Sequence, residues 1–161
     1  MGDPVPPSVR RVLEAAARKG VVLEIVETDG SRSAEDAASA VGTTVGRIVK
    51  SLVFMGAESG QPVLLLVSGT NLVDEAAVGA HLGEALRRAA AEEVRAATGF
   101  AIGGVSPFGG PDGLRILMGE DLFAHPTVWA AGGTPRHVFE IVPLALRSAT
   151  SAEVLRVASK T

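Results

Sequence analysis

The chain has 161 residues and a formal net charge of −3, a length that suits one domain of ~100–200 residues with a sizeable core. Its longest strongly apolar run, Val63 to Val67, falls far short of the ~20 residues that span a bilayer, and Met1 to Pro7 lacks the basic start and apolar run of a secretory signal. A cytoplasmic protein with no membrane partner is expected, and the negative charge leaves no large basic footprint for nucleic acid, only room for a local patch.

The spacing of Val9, Val12, Leu13 and Ala16 predicts a first helix from Ser8 to Lys19, stopped by Gly20. Leu23 to Glu27 reads as a strand. Ser33, with Asp36 three places on, approximates a capping box and opens a second helix that ends at Gly42. A turn at Val45–Val49 leads into a strand from Lys50 to Phe54, and Pro62 to Val67 is the next strand. Gly56 to Gly60 between them suggests a hairpin. Helices follow at Asp74–Leu82 and Ala91–Thr98, with Gly83 and Gly99 as their stops. Leu114–Leu117, Thr127–Ala131 and His137–Val142 read as strands. Pro143 starts a short helix, and Ser151 is expected to cap a last one. Short helices mixed with strands joined by tight turns favour an α+β fold. No repeat or linker divides the chain.

Cysteine is absent, which removes disulfides, thiolate metal sites and a cysteine nucleophile together. His81, His125 and His137 do not stand at metal-ligand spacing, so no metal and no cofactor is expected. Tyrosine is absent and aromatic residues make up 4%, which argues against a stacking platform for single-stranded nucleic acid.

Two stretches can carry chemistry. In Gly103-Gly104-Val105-Ser106-Pro107-Phe108-Gly109-Gly110, glycine permits positive φ and close approach, and free N–H groups can converge on an oxyanion or a phosphate. A plain turn between a helix and a strand fits the same composition. Lys50 is the second. Within a strand it shares a face with Leu52 and Phe54, while Val49, Ser51 and Val53 share the other. A lysine in so apolar a strand either snorkels at the sheet edge or points its ammonium into a cleft. It is one of only three lysines, with Lys19 and Lys160, against twelve arginines.

Ser106 does not fit G-x-S-x-G, and no Ser/His/Asp triad can be assembled around it. Ala130-Ala131-Gly132-Gly133-Thr134-Pro135 is a second glycine-bearing loop, of interest only if it lies beside the first. The pairs Arg10-Arg11, Arg18-Lys19 and Arg87-Arg88 read by default as solvated charge.

In order, Ile48-Val49-Lys50-Ser51-Leu52-Val53-Phe54, Val67-Ser68-Gly69, Thr98 to Gly109, Ala131-Gly132-Gly133 and Val138-Phe139-Glu140-Ile141 resemble the YbaK family of aminoacyl-tRNA deacylases, the superfamily of the prolyl-tRNA synthetase editing domain. The resemblance covers about Val21 to Ala158. It implies one domain over residues 1–161, with the core at 21–158 behind an N-terminal helix. The implied fold is a compact α+β domain around a twisted, mixed, partly barrel-like sheet. The implied activity is trans-acting hydrolysis of the ester of mischarged tRNA, that for proline carrying a small wrong amino acid. The resemblance makes Lys50 the active-site lysine. It makes Gly103, Gly104, Val105, Ser106, Pro107, Phe108 and Gly109 the pocket lining, with Gly132 and Gly133 as a further wall.

The implied partners are mischarged tRNA, held weakly through few phosphates, and an aminoacyl-tRNA synthetase. Many members carry an aspartate in the strand after the loop; here that place is Gly119, and Glu120 and Asp121 are expected to point elsewhere. The alternative is a non-catalytic module that binds an aminoacyl or nucleotide group in the same pocket.

Overall fold

Alternating apolar residues between tight turns place a mixed sheet at the centre of the chain, and the computed structural model, which describes residues 5–159, shows how it closes around a core. Helix α1 (Pro7–Arg18) opens with proline at its first position, where no backbone N–H is needed. Val9, Val12 and Ala16 are fully buried, on the face that the sequence spacing selects. Strand β1 (Val26–Glu27) is shorter than the stretch expected from Leu23, because only Val26 and Glu27 find strand partners. Helix α2 (Ala34–Val41) begins as expected: Ser33 Oγ accepts from the Asp36 N–H at 3.1 Å, and Gly42 closes the helix at φ 72°.

A short 3-10 turn, Val45–Arg47, leads into β2 (Val49–Gly56), which forms the expected hairpin with β3 (Pro62–Ser68). Helix α3 (Glu75–Leu82) follows, then β4 (Leu86–Arg88), a strand not anticipated from the sequence. Its three residues include two arginines, too short and too polar to show period-2 alternation. Next come α4 (Ala91–Thr98), β5 (Arg115–Gly119), a 3-10 turn at Glu120–Ala124, β6 (Val128–Thr134), β7 (His137–Ile141), α5 (Pro143–Thr150) and β8 (Glu153–Leu155).

The chain end corrects one expectation. Ser151 does not start a helix; at φ 58° it is the left-handed residue that stops α5, and its N–H donates to the Arg147 carbonyl. The freed chain then runs parallel to β5, with Met118 opposite Val154.

Five strands lie in the order β4-β2-β3-β5-β8, mixing antiparallel and parallel pairs, and three in the order β1-β7-β6. A parallel bridge between Ile48 and Trp129 joins the two sheets. One face of β2 sends Val49, Val53 and Met55 into the main core, beside Phe100, Phe108, Phe139 and Leu146. The other face sends Phe54 into a second cluster with Leu65, Val67 and Val78. Among the described residues no helix is long and apolar enough to cross a membrane.

Candidate active site

The register of β2 decides where its lysine goes. Lys50 lies opposite Val67, and Leu52 opposite Leu65. Side chains alternate along a strand, so Ile48, Lys50 and Leu52 share a face. The Ile48–Trp129 bridge extends that face onto β6, where Trp129 and Ala131 alternate with buried Val128 and Ala130. Ala131 in turn pairs with Val138. These six residues form the floor of a cavity of about 790 Å³, within the range of small-molecule sites.

The walls come from neighbouring segments. Asp29 to Ala34 and the inner side of α2 line one part of the cavity, and Ile102, Gly103, Val105, Thr134 and Pro135 line another, the two meeting where the Ser31 N–H donates to the Pro135 carbonyl at 3.2 Å. The cavity opens along a break in strand pairing. Among the described residues β4 pairs with β2 only from Phe54 to Gly56, and β6 is bridged only to Ile48, the residue before β2. The edge of β2 from Lys50 to Leu52 lies between them.

Lys50 is half-buried on that floor. Its Nζ donates to the main-chain carbonyl of Asn71. An ammonium has three donors, and among the described residues the other two have no acceptor. Partial burial pushes the lysine pKa below its ordinary value, and the Arg88 guanidinium pushes the same way, while Glu35 opposes them. Arg88 leans over the Phe54 ring, with its guanidinium carbon 5.6 Å from the centroid.

The carbonyl that holds Lys50 is itself anchored. Ser68, Gly69, Thr70 and Asn71 make a tight turn, with the Asn71 N–H donating to the Ser68 carbonyl at 2.9 Å. A side chain at Gly69 would run into the Val45 carbonyl, so only glycine lets this turn lie against the 3-10 segment. Asn71 Nδ2 donates to Asp121 Oδ2 at 2.7 Å.

Of the residues expected in the pocket, Lys50, Gly103 and Val105 reach the cavity wall. The others lie elsewhere. Gly104 presses on the β6 end, where an added Cβ would come 2.7 Å from Thr134 Cα. Ser106 is buried, and its Oγ accepts from the Phe108 N–H at 3.2 Å. Pro107 is buried too, and Phe108 packs on Phe139 with ring centroids 5.8 Å apart. Gly109 turns at φ 95° against Phe100 and Arg11. Gly132 faces Ile25 and the His137 carbonyl, and Gly133 faces the Ser8 carbonyl of α1. The two glycine loops do lie side by side, through Gly104 and Thr134, as packing partners.

Trp129, the one tryptophan, and the acidic wall residues Asp29 and Asp36 were not foreseen. The alternation Val128-Trp129-Ala130-Ala131 carried a signal for Trp129, since it sends the small residue inward and the indole outward. Asp121 also departs from expectation, because it reaches the Lys50 network through Asn71. The histidines are scattered: His81 lies 3.7 Å from Glu153, His125 lies beside Gly46, and His137 Nδ1 meets Thr134 Oγ1. No group of three or more His, Asp or Glu side chains among the described residues is arranged to hold a metal.

The chain as a whole has counterparts among known proteins. Residues 28–149 match the model of the aminoacyl-tRNA editing domain. A solved structure of a candidate trans-editing enzyme for prolyl-tRNA synthetase superposes with a TM-score of 0.91 at 46% identity, over 98% of this chain and all of that one. The uncharacterised protein YwhH of Bacillus subtilis is 32% identical over 77% of this chain and 78% of its own length. EbsC of Enterococcus faecalis, a candidate Cys-tRNA(Pro)/Cys-tRNA(Cys) deacylase, is 25% identical over 85% of this chain and 84% of its own. With three quarters of its length inside one family model and a near-complete structural counterpart, the chain belongs to the aminoacyl-tRNA editing domain family.

Proposed function

We propose that this protein hydrolyses, in trans and without a metal, the ester that joins a small wrong amino acid to tRNA, with the tRNA for proline as the first candidate. The observation that carries this is the placement of Lys50. It sits half-buried on the floor of an otherwise largely apolar cavity, with one donor fixed on Asn71 and, among the described residues, two without an acceptor. Water adds to the ester carbonyl, the bond to the ribose oxygen breaks, and that oxygen leaves with a proton. The protein aids this by placing the Lys50 ammonium where negative charge develops on the carbonyl oxygen. An aminoacyl ester is already activated, so positioning supplies a large part of the acceleration.

The rest of the cavity suits the remainder of such a substrate. Leu52, Ala131 and Val138 offer an uncharged surface to a small side chain. Asp29 and Asp36 also line the cavity, where an α-ammonium gains from a carboxylate. Trp129 supplies a flat face for the terminal nucleobase, and stacking of that kind contributes about 1–3 kcal/mol. At a net charge of −3, contact with the tRNA backbone is limited to a few phosphates. Each adds roughly −0.9 to the log–log salt slope on duplex nucleic acid.

The test is deacylation of a panel of mischarged tRNAs, with and without EDTA and at several salt concentrations. Hydrolysis of at least one charged tRNA, unaffected by chelator and with a shallow salt slope, is expected. Binding without hydrolysis would replace the enzyme by a module that holds the aminoacyl end. Loss of activity in EDTA with rescue by zinc would overturn the metal-free mechanism.

A further inference from the structure

Lys50, the turn at Thr70 and Asn71, and Asp121 form one hydrogen-bonded chain. The Lys50 Nζ donates to the Asn71 main-chain oxygen. The Asn71 side chain donates to Asp121 Oδ2 at 2.7 Å, a short distance typical of a hydrogen bond to a carboxylate, which is among the stronger kinds. Thr70 Oγ1 reaches Asn71 Oδ1 at 3.4 Å from the other side. The segment just after Asn71 is held independently: Ser159 N–H donates to the Leu72 carbonyl at 3.0 Å, and Asp74 N–H donates to the Val157 carbonyl at 2.8 Å. Asn71 is therefore the last residue of this loop before the C-terminal clamp, and Asp121 is the group that fixes its side chain.

From this geometry we propose that Asp121 is a positioning residue for Lys50, acting through Asn71. By holding the Asn71 amide, the Asp121 carboxylate keeps the Asn71 carbonyl aimed at Nζ and so keeps the other two donors of Lys50 turned toward the cavity. Position 119 carries no carboxylate: it is glycine, packed so that an added Cβ would come 2.8 Å from Val157 Cγ2. The role assigned to Asp121 rests on the proposed importance of Lys50, but the arrangement itself can be read without any deacylase activity.

The experiment compares wild type, Asp121→Ala, Asn71→Ala, the double variant and Asp121→Asn. The first readout is the rate at which an amine-reactive acetylating reagent modifies Lys50, followed peptide by peptide at pH 8, with Lys19 as the internal reference. A carbonyl held on Nζ favours the ammonium, so letting the Asn71 main-chain carbonyl turn away lowers the lysine pKa and raises the reactive fraction. The other charges around Lys50, Arg88 on β4 and Glu35 on α2, are unchanged in these variants. Lys50 labelling is expected to rise about threefold in both alanine variants and no further in the double variant. Asp121→Asn, which retains an acceptor oxygen, should fall between. Lys19 should not change.

The second readout is steady-state deacylation, with kcat reduced about tenfold in both alanine variants, KM little changed and non-additivity in the double variant. Unchanged Lys50 labelling in Asp121→Ala and Asn71→Ala overturns the proposal. Equal fractional loss of labelling selectivity at Lys19, or additive effects in the double variant, also overturns it in favour of general loosening. Altered labelling in a protein that hydrolyses no tested tRNA keeps Asp121 as the anchor of Lys50 and overturns the hydrolase reading instead.

Discussion

The open edge of β2 and the loop from Gly103 to Gly110 border the same cavity but are built in opposite ways. On β2 the backbone is regular, and Lys50 departs from a largely apolar pattern to reach the cavity floor. In the loop the side chains are mostly interior. Ser106 and Phe108 are buried, and the Arg11 guanidinium carbon stacks 4.3 Å from the Phe100 centroid while its Nη2 donates to the Gly99 carbonyl at 2.8 Å. Only Gly103, Val105 and the neighbouring Ile102 touch the cavity. A cluster of glycines reports that backbones come close. It does not say whether the close neighbour is a ligand or another part of the chain, and here Gly104 approaches Thr134 of β6.

That contrast makes its strongest prediction at Lys50. Lys50→Ala should lower turnover by more than tenfold, since a charge-assisted contact in a sheltered site contributes about 1.5–3 kcal/mol. The fold should not suffer. The folded state lowers the Lys50 pKa, so below that lowered value the protonated lysine weighs against folding. The penalty is relieved as pH rises from the folded pKa toward the unfolded one, because the unfolded chain then holds more protons. Lys50→Ala removes this term, so its melting temperature near neutral pH should equal or exceed that of the parent. A variant that melts lower, or that keeps parental turnover, would break the contrast at its origin. Lys50→Arg should remain impaired, because a planar guanidinium does not repeat the geometry of a compact ammonium.

Trp129 sharpens the same side of the comparison. It is the only tryptophan, so its fluorescence reports on the cavity floor alone. Titration with adenosine monophosphate should quench it saturably. Trp129→Ala should raise KM about tenfold, in line with 1–3 kcal/mol for base stacking, and Trp129→Phe should restore most of the loss. No quenching, together with parental kinetics in the alanine variant, would leave Trp129 as a packing residue beside Ile48.

How much of this was legible follows from the period of each signal. The hairpin of β2 and β3 and the faces of Lys50 and Val49 were readable, because alternation over a long strand is robust and a lysine among Val, Leu and Phe is conspicuous. The first and second helices were readable from Val9, Val12 and Ala16 and from the Ser33 cap. Strand β4 was not, since Leu86-Arg87-Arg88 has too few residues to alternate. Nor was β8, where Ser151 looks like a helix start but adopts φ 58° and ends α5 instead. The Asp121–Asn71 contact spans fifty residues, and no local pattern encodes a pairing at that distance.

On the loop side the expected effects fall on stability. Gly104→Ala places a Cβ 2.7 Å from Thr134 Cα and 3.0 Å from the Gly133 carbonyl oxygen, both backbone atoms that cannot swing aside. Overpacking of this kind costs about 1–3 kcal/mol, which lowers the melting temperature by several degrees in a protein of this size. The folded fraction should keep its kcat. Gly103→Ala differs: its φ of 91° is strained for alanine, and it stands on the cavity rim, so it should lower both stability and turnover. If Gly104→Ala left melting unchanged and cut only kcat, the loop would be a ligand cradle after all, and the contrast with β2 would collapse.

The smallest expected effect concerns what keeps the β2 edge open. Strand β4 stops short of Lys50, and its Arg87 is tied to Glu93 of α4 by hydrogen bonds of 2.8 and 2.7 Å. The Ala90 N–H adds a third contact to the same carboxylate at 2.9 Å. Arg87 chiefly, with Ala90, holds the Glu93 pKa down to about 2. A lowered carboxylate pKa stabilises the fold above the unfolded value, and that contribution fades as pH falls from there through about 2. The pair is exposed, so its effect is small and screened by salt. Glu93→Gln should therefore melt slightly lower than the parent at pH 6, and the difference should shrink toward zero near pH 2. A difference that stays constant across that range would mean that the Arg87–Glu93 pair does not titrate with folding, and that β4 is set against β2 by its backbone pairing and the Arg88–Phe54 contact alone.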